Sequence, residues 1–175
     1  MRAKLAYFLG GIMPWLMLAG VAVFPASAAE PLLSPQHPVV LTVTGEIHRT
    51  NSDEKALFDL SMLDKLPQQS FSTDTPWTER KHLFSGVLLS ELLKYVGAEG
   101  KTVRVVALND YHVDIDIEVA SQHPLLLATR MDGETMKIRD KGPIWLMLPL
   151  SDNKSYDTKR YHELLAWQLK TLDIR

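Results

Sequence analysis

Four residues of types that bind small ligands lie in one stretch, residues 130–149. They are three cations and a glycine: Arg130, Arg139, Lys141 and Gly142. Apolar residues flank them, and the second apolar run, residues 144–148, does not alternate with polar residues, which is typical of a strand buried on both faces. A charged loop between two buried strands places donors at the rim of a core, where binding sites are common. The alternative is that Arg139 simply pairs with Asp140 at the surface.

Residues 68–80 form a second candidate segment, which reads QQSFSTDTPWTER. Hydroxyl and amide side chains dominate it, so we expect a loop and not a core element. Its Trp77 offers a flat apolar face on which a ligand can stack. The alternative is a polar loop that one buried tryptophan pins to the core.

A third candidate follows a predicted turn at residues 109–110, where a strand alternates strictly. His112, Asp114 and Asp116 share one of its faces, because side chains two apart in a strand point the same way. A histidine with two carboxylates can bind a cation. Such a row is also the usual solvent face of an antiparallel strand, and we favour that interpretation, with no metal site.

The search for catalytic motifs is otherwise negative. The sequence has no G-x-S-x-G, no phosphate-binding loop, no dinucleotide fingerprint and no H-E-x-x-H. It also has no cysteine. That absence excludes disulfides, and it removes thiolate both as a nucleophile and as a metal ligand.

The first residues, 1–28, are typical of a secretory signal peptide. Two basic residues precede an apolar run, residues 5–24, and Ala26-Ser27-Ala28 is a small-residue cleavage pattern. We therefore expect export to the periplasm, with membrane contact only through this peptide before cleavage; a retained membrane anchor is the alternative. After it we predict an extended, mobile lead-in over 29–38 and one domain over 39–175.

The charge of the exported part bears on its partners. Two of the 19 basic residues lie in the signal peptide, which leaves 17 basic residues against 21 acidic ones and a net charge of −4. A mildly acidic chain without a basic tract argues against nucleic acid as a partner.

The remaining pattern predicts an α+β fold with a mixed, largely antiparallel sheet and short helices. Apolar residues at helical spacing predict a helix over 87–96, closed by Gly97. A shorter helix over 62–66, capped by Ser61, and a last strand over 166–174 are further predictions.

Four segments form a set that is more specific than any one of them. They are FSGVLLSELLKYVG (84–97), VVALNDYHVDI (105–115), LLLATRMDGETMKIRDKGPIWLMLP (125–149) and WQLKTLDI (167–174). Together, and in this order, they resemble the molybdopterin-binding domain of the sulfite-oxidase-type oxidoreductases, and in particular its short exported single-domain members. The resemblance implies that domain's mixed α/β fold. It also implies a pterin site lined by the equivalents of Asn109, Asp110, Tyr111 and residues 139–143.

The chain lacks the metal ligand of that family. In catalytic members a cysteine thiolate binds molybdenum from a loop just before the predicted long helix. The equivalent loop here, residues 70–81, has no cysteine, and its hydroxyls are poor substitutes at a soft metal site: Ser70, Ser72, Thr73 and Thr75. The signal peptide also lacks the twin arginines of folded export, although this cofactor is normally loaded before export. We therefore expect no cofactor, with molybdopterin as the alternative.

The sequence as a whole predicts a periplasmic binding module on a molybdopterin-oxidoreductase scaffold, without molybdenum catalysis. Arg130, Arg139 and Lys141 would supply positive charge. Asn109 and Asp110 would supply hydrogen bonds, and Trp77 a stacking face. The expected partner is a small anionic or heterocyclic ligand, or a membrane-bound sensor or redox partner. The alternative is a molybdopterin-dependent oxidoreductase in which a hydroxyl or water replaces the thiolate.

Overall fold

The computed structural model describes residues 32–175, so the predicted signal peptide lies outside the described residues. The strands are β1 Leu41–Gly45, β2 Ala56–Phe58, β3 Gln68–Thr73, β4 His82–Leu88, β5 Thr102–Ala107, β6 His112–Asp116, β7 Leu126–Met131, β8 Glu134–Thr135, β9 Trp145–Met147 and β10 Leu169–Ile174. The α-helices are α1 Leu60–Asp64, α2 Leu89–Val96, α3 Ile117–Gln122 and α4 Lys159–His162. Short 3-10 turns cover Ile138–Asp140 and Lys154–Tyr156.

The strands divide between two five-stranded sheets. The first has the order β2-β1-β10-β5-β6, and its one parallel pair joins β1 to β10. In the second sheet, β3, β4 and β7 are neighbours, and β9 and β8 pair with successive parts of β7. All the other pairs within residues 32–175 are antiparallel. The predicted α+β class with a largely antiparallel sheet is confirmed.

The long helix α2 is held by a continuous apolar stripe. Leu89, Leu92, Leu93 and Val96 are all buried. Gly97 closes the helix in the left-handed conformation, with φ 66°, and its N–H donates to the carbonyl of Lys94 at 3.1 Å. The prediction of a start at residue 87 was wrong, because residues 87 and 88 still pair with β7 as part of β4.

The cap of α1 is an aspartate and not the predicted Ser61. The carboxylate of Asp59 is buried, and it accepts the backbone N–H of Met62 at 2.9 Å and the hydroxyl of Ser61 at 2.7 Å. The N–H groups of Gln36 and His37 also donate to it, at 2.8 and 3.0 Å. These donors, the Ser61 hydroxyl first, hold the pKa of Asp59 well below its usual range. The same carboxylate therefore anchors residues 36–37 of the predicted lead-in to the core.

The segment predicted as a polar loop, residues 68–80, is a loop only in its second half. Gln68–Thr73 forms the edge strand β3, paired with β4 along its whole length. Four of its six side chains are exposed, so their polarity reflects a solvent-facing edge and not a loop. Among residues 32–175 no helix is long and apolar enough to cross a membrane.

Candidate functional site

Two cavities meet at the side chain of Trp77. The first, which we call the apolar chamber, has a volume of about 450 Å³ and is lined chiefly by Trp77, Ala107, Tyr111, Leu165, Ala166 and Trp167. The second, which we call the polar cleft, has a volume of about 680 Å³ and is lined chiefly by Trp77, Arg80, His82, Arg139, Lys141 and Trp145. Both volumes lie in the range of small-molecule sites, about 300–1,000 Å³.

A lysine lies on an aromatic cluster between the two cavities. The Nζ atom of Lys141 lies 4.8 Å from the ring centroid of Trp167 and 5.4 Å from that of Trp145. Trp77 meets Trp167 edge-on, with centroids 5.2 Å apart. Within residues 32–175, Lys141 makes no ion pair with a carboxylate. Its charge is thus balanced by ring faces and solvent, and is open to an anion.

The backbone around Lys141 fixes this position. Lys141 has φ 71°, a left-handed conformation that is uncommon for a residue with a side chain. Its carbonyl accepts the N–H of Gln168 at 3.0 Å, and the next N–H, of Gly142, donates to the carbonyl of Lys137 at 2.8 Å. Strained backbone of this kind is concentrated at ligand sites, where the surrounding contacts hold it in place.

Trp145 carries the one buried side-chain polar atom of the described chain that lacks a hydrogen-bond partner. The residue is 1% exposed, and its indole Nε1 has no acceptor. Leaving a buried donor unpaired costs about 1–3 kcal/mol. Trp145 also lines the polar cleft, but its Nε1 atom is itself buried and is not open to solvent.

One wall of the polar cleft is fixed by Asp132, in the turn between β7 and β8. Its carboxylate accepts bonds from Arg80 Nη2 at 2.9 Å, His82 Nδ1 at 2.8 Å and the N–H of Leu83 at 2.9 Å. The hydrogen bond from His82, followed by that from Leu83, lowers the pKa of Asp132 to about 2. Arg80 is therefore already paired, which distinguishes it from Lys141.

Three of the predicted site residues cluster at the mouth of the apolar chamber, but only two line it. Asn109 and Tyr111 do so. The Tyr111 hydroxyl donates to the carbonyl of Glu163 at 2.8 Å, and burial, followed by the nearby charge of Glu163, raises the pKa of Tyr111. Asp110 instead points to solvent and pairs with Lys170 at 2.9 Å, which lowers the pKa of Asp110.

The cations predicted around residues 130–142 separate in the fold. Arg130 lines neither cavity, because both its terminal nitrogens bond the carboxylate of Asp64, at 2.6 and 2.8 Å. Arg139 does line the polar cleft, and it makes the ion pair with Asp140 that was the alternative interpretation, at 3.4 Å and largely exposed. Gly142 lies behind Lys141, with its backbone against the carbonyl of Met136.

Sequence reasoning missed the far wall of the apolar chamber. His162, Glu163 and Trp167 line it, and His162 Nε2 lies 2.9 Å from the carboxylate of Asp157. Trp167 was predicted within the last strand, but Gln168 has φ 54° and interrupts that strand, so β10 begins only at Leu169. A tryptophan at a poorly alternating strand end was the available signal.

The strand face that was predicted to contact solvent does so. His112, Asp114 and Asp116 are all exposed. Asp114 forms a two-point bond with Arg104, at 2.7 Å for each contact, which lowers the pKa of Asp114 and raises that of Arg104. No group of metal-binding side chains occurs among residues 32–175.

The two largely antiparallel sheets with short helices define an α+β fold whose two cavities meet at Trp77. The family model of the oxidoreductase molybdopterin binding domain matches residues 61–151, more than half of the chain. The chain belongs to this family. No curated protein matches the sequence.

A solved structure shares the fold. The sulfane dehydrogenase SoxCD from Paracoccus pantotrophus superposes with a TM-score of 0.57 at 16% sequence identity. The match covers 77% of this chain and 37% of the SoxCD chain, so the present chain spans well under half of that protein. At this identity the likeness concerns the fold alone.

The family implies molybdopterin, and the residues present do not fit its metal. The chain offers no thiolate. Thr73 is buried, and its hydroxyl bonds Ser151 Oγ at 3.2 Å and the carbonyl of Asp74 at 3.0 Å. Thr75 is also buried, and its hydroxyl accepts the N–H of Trp77 at 3.1 Å. The predicted substitutes for the thiolate are thus either engaged internally or, like Ser70 and Ser72, exposed on β3. The tryptophan faces and Lys141 do suit a flat anionic heterocycle, the organic half of the cofactor.

Proposed function

We propose that this protein is a periplasmic ligand-binding domain built on the molybdopterin-oxidoreductase scaffold, and that it works without molybdenum. Its ligand is a small anion or an anionic heterocycle bound in the polar cleft. The observation that carries the proposal is Lys141, a cation on two tryptophan rings with no carboxylate partner among residues 32–175. The donor set supports the absence of molybdenum chemistry, because it contains no thiolate.

The cleft supplies complementary groups to such a ligand. Lys141 provides a positive charge at the wall of the cleft. Trp77, which is 39% exposed, provides a ring edge and face at the opening. A charged hydrogen bond contributes about 1.5–3 kcal/mol and a neutral one about 1 kcal/mol. An anion that contacts Lys141 therefore gains more than one that does not.

The proposal is tested with pterin-6-carboxylate, a flat heterocycle that carries a carboxylate. We expect it to quench tryptophan fluorescence on titration into the exported protein. Lys141→Gln should weaken its binding by about ten- to a hundredfold, which corresponds to the loss of one charged hydrogen bond. Lys101→Gln is the matched control, because Lys101 is exposed and lines neither cavity. Equal affinity in the two variants would remove the basis of the proposal.

The second candidate is a molybdopterin-dependent oxidoreductase with a metal site that has no cysteine, and the family match favours it. Elemental and pterin analysis of the protein purified from the periplasm separates the two. Stoichiometric molybdenum with pterin would establish the oxidoreductase. Pterin without metal would identify the ligand of a non-catalytic domain. Recovery of the protein from the cytoplasm alone would contradict the predicted export. Binding to a membrane-bound sensor or redox partner stays a prediction.

A further inference from the structure

The apolar chamber has a composition unlike that of the polar cleft. Its deep wall consists of apolar and aromatic side chains, including Ala107, Leu165 and Ala166, each 2% exposed. The polar groups at its rim already have partners of their own. Lys159 lies 3.8 Å from Glu163, and His162 lies 2.9 Å from Asp157. A polar or charged group would lose its hydration there and find no unpaired ionic partner.

The size of the chamber limits what can enter it. A dry apolar cavity of about 150 Å³ accommodates benzene. The chamber measures about 450 Å³, so it has room for a body of about two fused rings with some space left at the mouth.

The same tryptophan side chains contact both the apolar chamber and the surroundings of Lys141. Trp77 lines both the chamber and the polar cleft. Trp167 lines the chamber, and the amine of Lys141 lies 4.8 Å from the centre of its ring. A ligand whose apolar body rests against Trp167 therefore has its end within reach of Lys141.

We propose that the two cavities form one bipartite site for a small anionic amphiphile. Its carboxylate-like head group lies at Lys141 in the polar cleft, and its apolar body of one or two rings fills the chamber. This inference rests on the proposed function and narrows the ligand class. A purely polar anion would leave the apolar wall of the chamber in contact with water, and a purely apolar molecule would leave Lys141 without an anionic partner.

The test compares three probes by isothermal titration calorimetry, and they differ in whether they carry the apolar body, the anionic head group or both. Naphthalene-2-carboxylate has both parts, naphthalene-2-methanol has only the apolar body, and acetate has only the head group. We expect naphthalene-2-carboxylate to bind at least a hundredfold more tightly than acetate and at least tenfold more tightly than the alcohol.

Two variants close the chamber in different ways. Leu165→Trp fills it from the buried wall, and Asn109→Trp obstructs its mouth from an exposed position where a large side chain does not disturb the core. Each should weaken the binding of naphthalene-2-carboxylate at least tenfold. Asn109→Trp keeps the test decisive if Leu165→Trp does not fold.

The outcomes separate this inference from the proposed function. If both chamber variants bind naphthalene-2-carboxylate as the unmodified protein does, the bipartite site is wrong and the anion site at Lys141 stands. If the alcohol binds as tightly as the carboxylate, the head group does not contact Lys141 and the inference fails. If Lys141→Gln changes the binding of no anionic probe, the proposed function fails as well.

Discussion

Replacing Gly142 by alanine should deform the loop that carries Lys141. A Cβ atom on Gly142 would lie 2.0 Å from the carbonyl oxygen of Met136 and 2.4 Å from the carbonyl carbon. Real Cβ atoms essentially never come closer than 3.0 Å to such neighbours, so the two segments must separate by about 1 Å. Both contacting atoms belong to the backbone, and no side-chain rotation can relieve the contact.

The size of the effect follows from two losses. Overpacking of this kind costs about 1–3 kcal/mol. The separation also stretches the hydrogen bond from the Gly142 N–H to the carbonyl of Lys137, now 2.8 Å, which contributes about 1 kcal/mol. We expect the free energy of unfolding to fall by about 2–4 kcal/mol. Because Lys141 is the adjacent residue, its amine should leave the Trp167 ring, and the affinity for pterin-6-carboxylate should drop.

Urea denaturation followed by circular dichroism measures the stability, and a fluorescence titration measures the affinity. Gly133→Ala is the control. Gly133 has φ 84°, and an added Cβ would meet nothing within 4 Å. Its cost is therefore conformational, about 1–2 kcal/mol, and should leave the affinity unchanged. If Gly142→Ala were as stable as the unmodified protein, or as good a binder, the packing argument for this loop would be refuted.

Three further predictions concern other walls of the site. The pKa of Asp132 is lowered to about 2 in the folded protein. Its contribution to stability is therefore complete above the unfolded pKa of about 3.9, and it is lost as the pH falls through 2. In thermal melts, Asp132→Asn should abolish this dependence of stability on acidic pH. A double-mutant cycle of Arg130→Gln and Asp64→Asn should give a coupling free energy of about 1 kcal/mol in stability, since both side chains are about a third exposed. Neither variant should change the affinity for the ligand. Trp77→Ala should weaken the binding of pterin-6-carboxylate by about two- to tenfold, and it should also lower the urea midpoint, because the side chain is only 39% exposed and packs against Trp167.

The parts of the fold that were predictable are those that periodicity alone determines. The apolar stripe of α2 and the unalternating run around Trp145 identify a helix and a fully buried strand without any knowledge of their neighbours. The start of α2 was wrong by two residues, because strand pairing with β7 competes with helix formation at that point. The sequence analysis named Ser61 as the cap of α1, whereas the structure has Asp59. Two of the donors to Asp59 come from residues 36–37, which are distant in sequence and which no local pattern reveals.

The site was predictable only as a set of residue types. Lys141, Asn109, Tyr111 and Trp77 do line cavities, but which cations remain free depends on tertiary partners that no local pattern reveals. Arg130 is taken by a carboxylate 66 residues away. The far wall of the chamber escaped prediction because the left-handed Gln168 turns Trp167 out of the strand, and glutamine carries no strong signal for that conformation.

The position of β10 has a consequence for the order in which the chain can fold. This strand lies between β1 and β5, and its parallel pairing with β1 joins Thr44 to Asp173, 129 residues apart. The first sheet therefore lacks its central strand until Leu169–Ile174 is in place. Contacts between such distant segments also form slowly. The first sheet is therefore completed by a long-range contact and not by pairing of neighbouring segments.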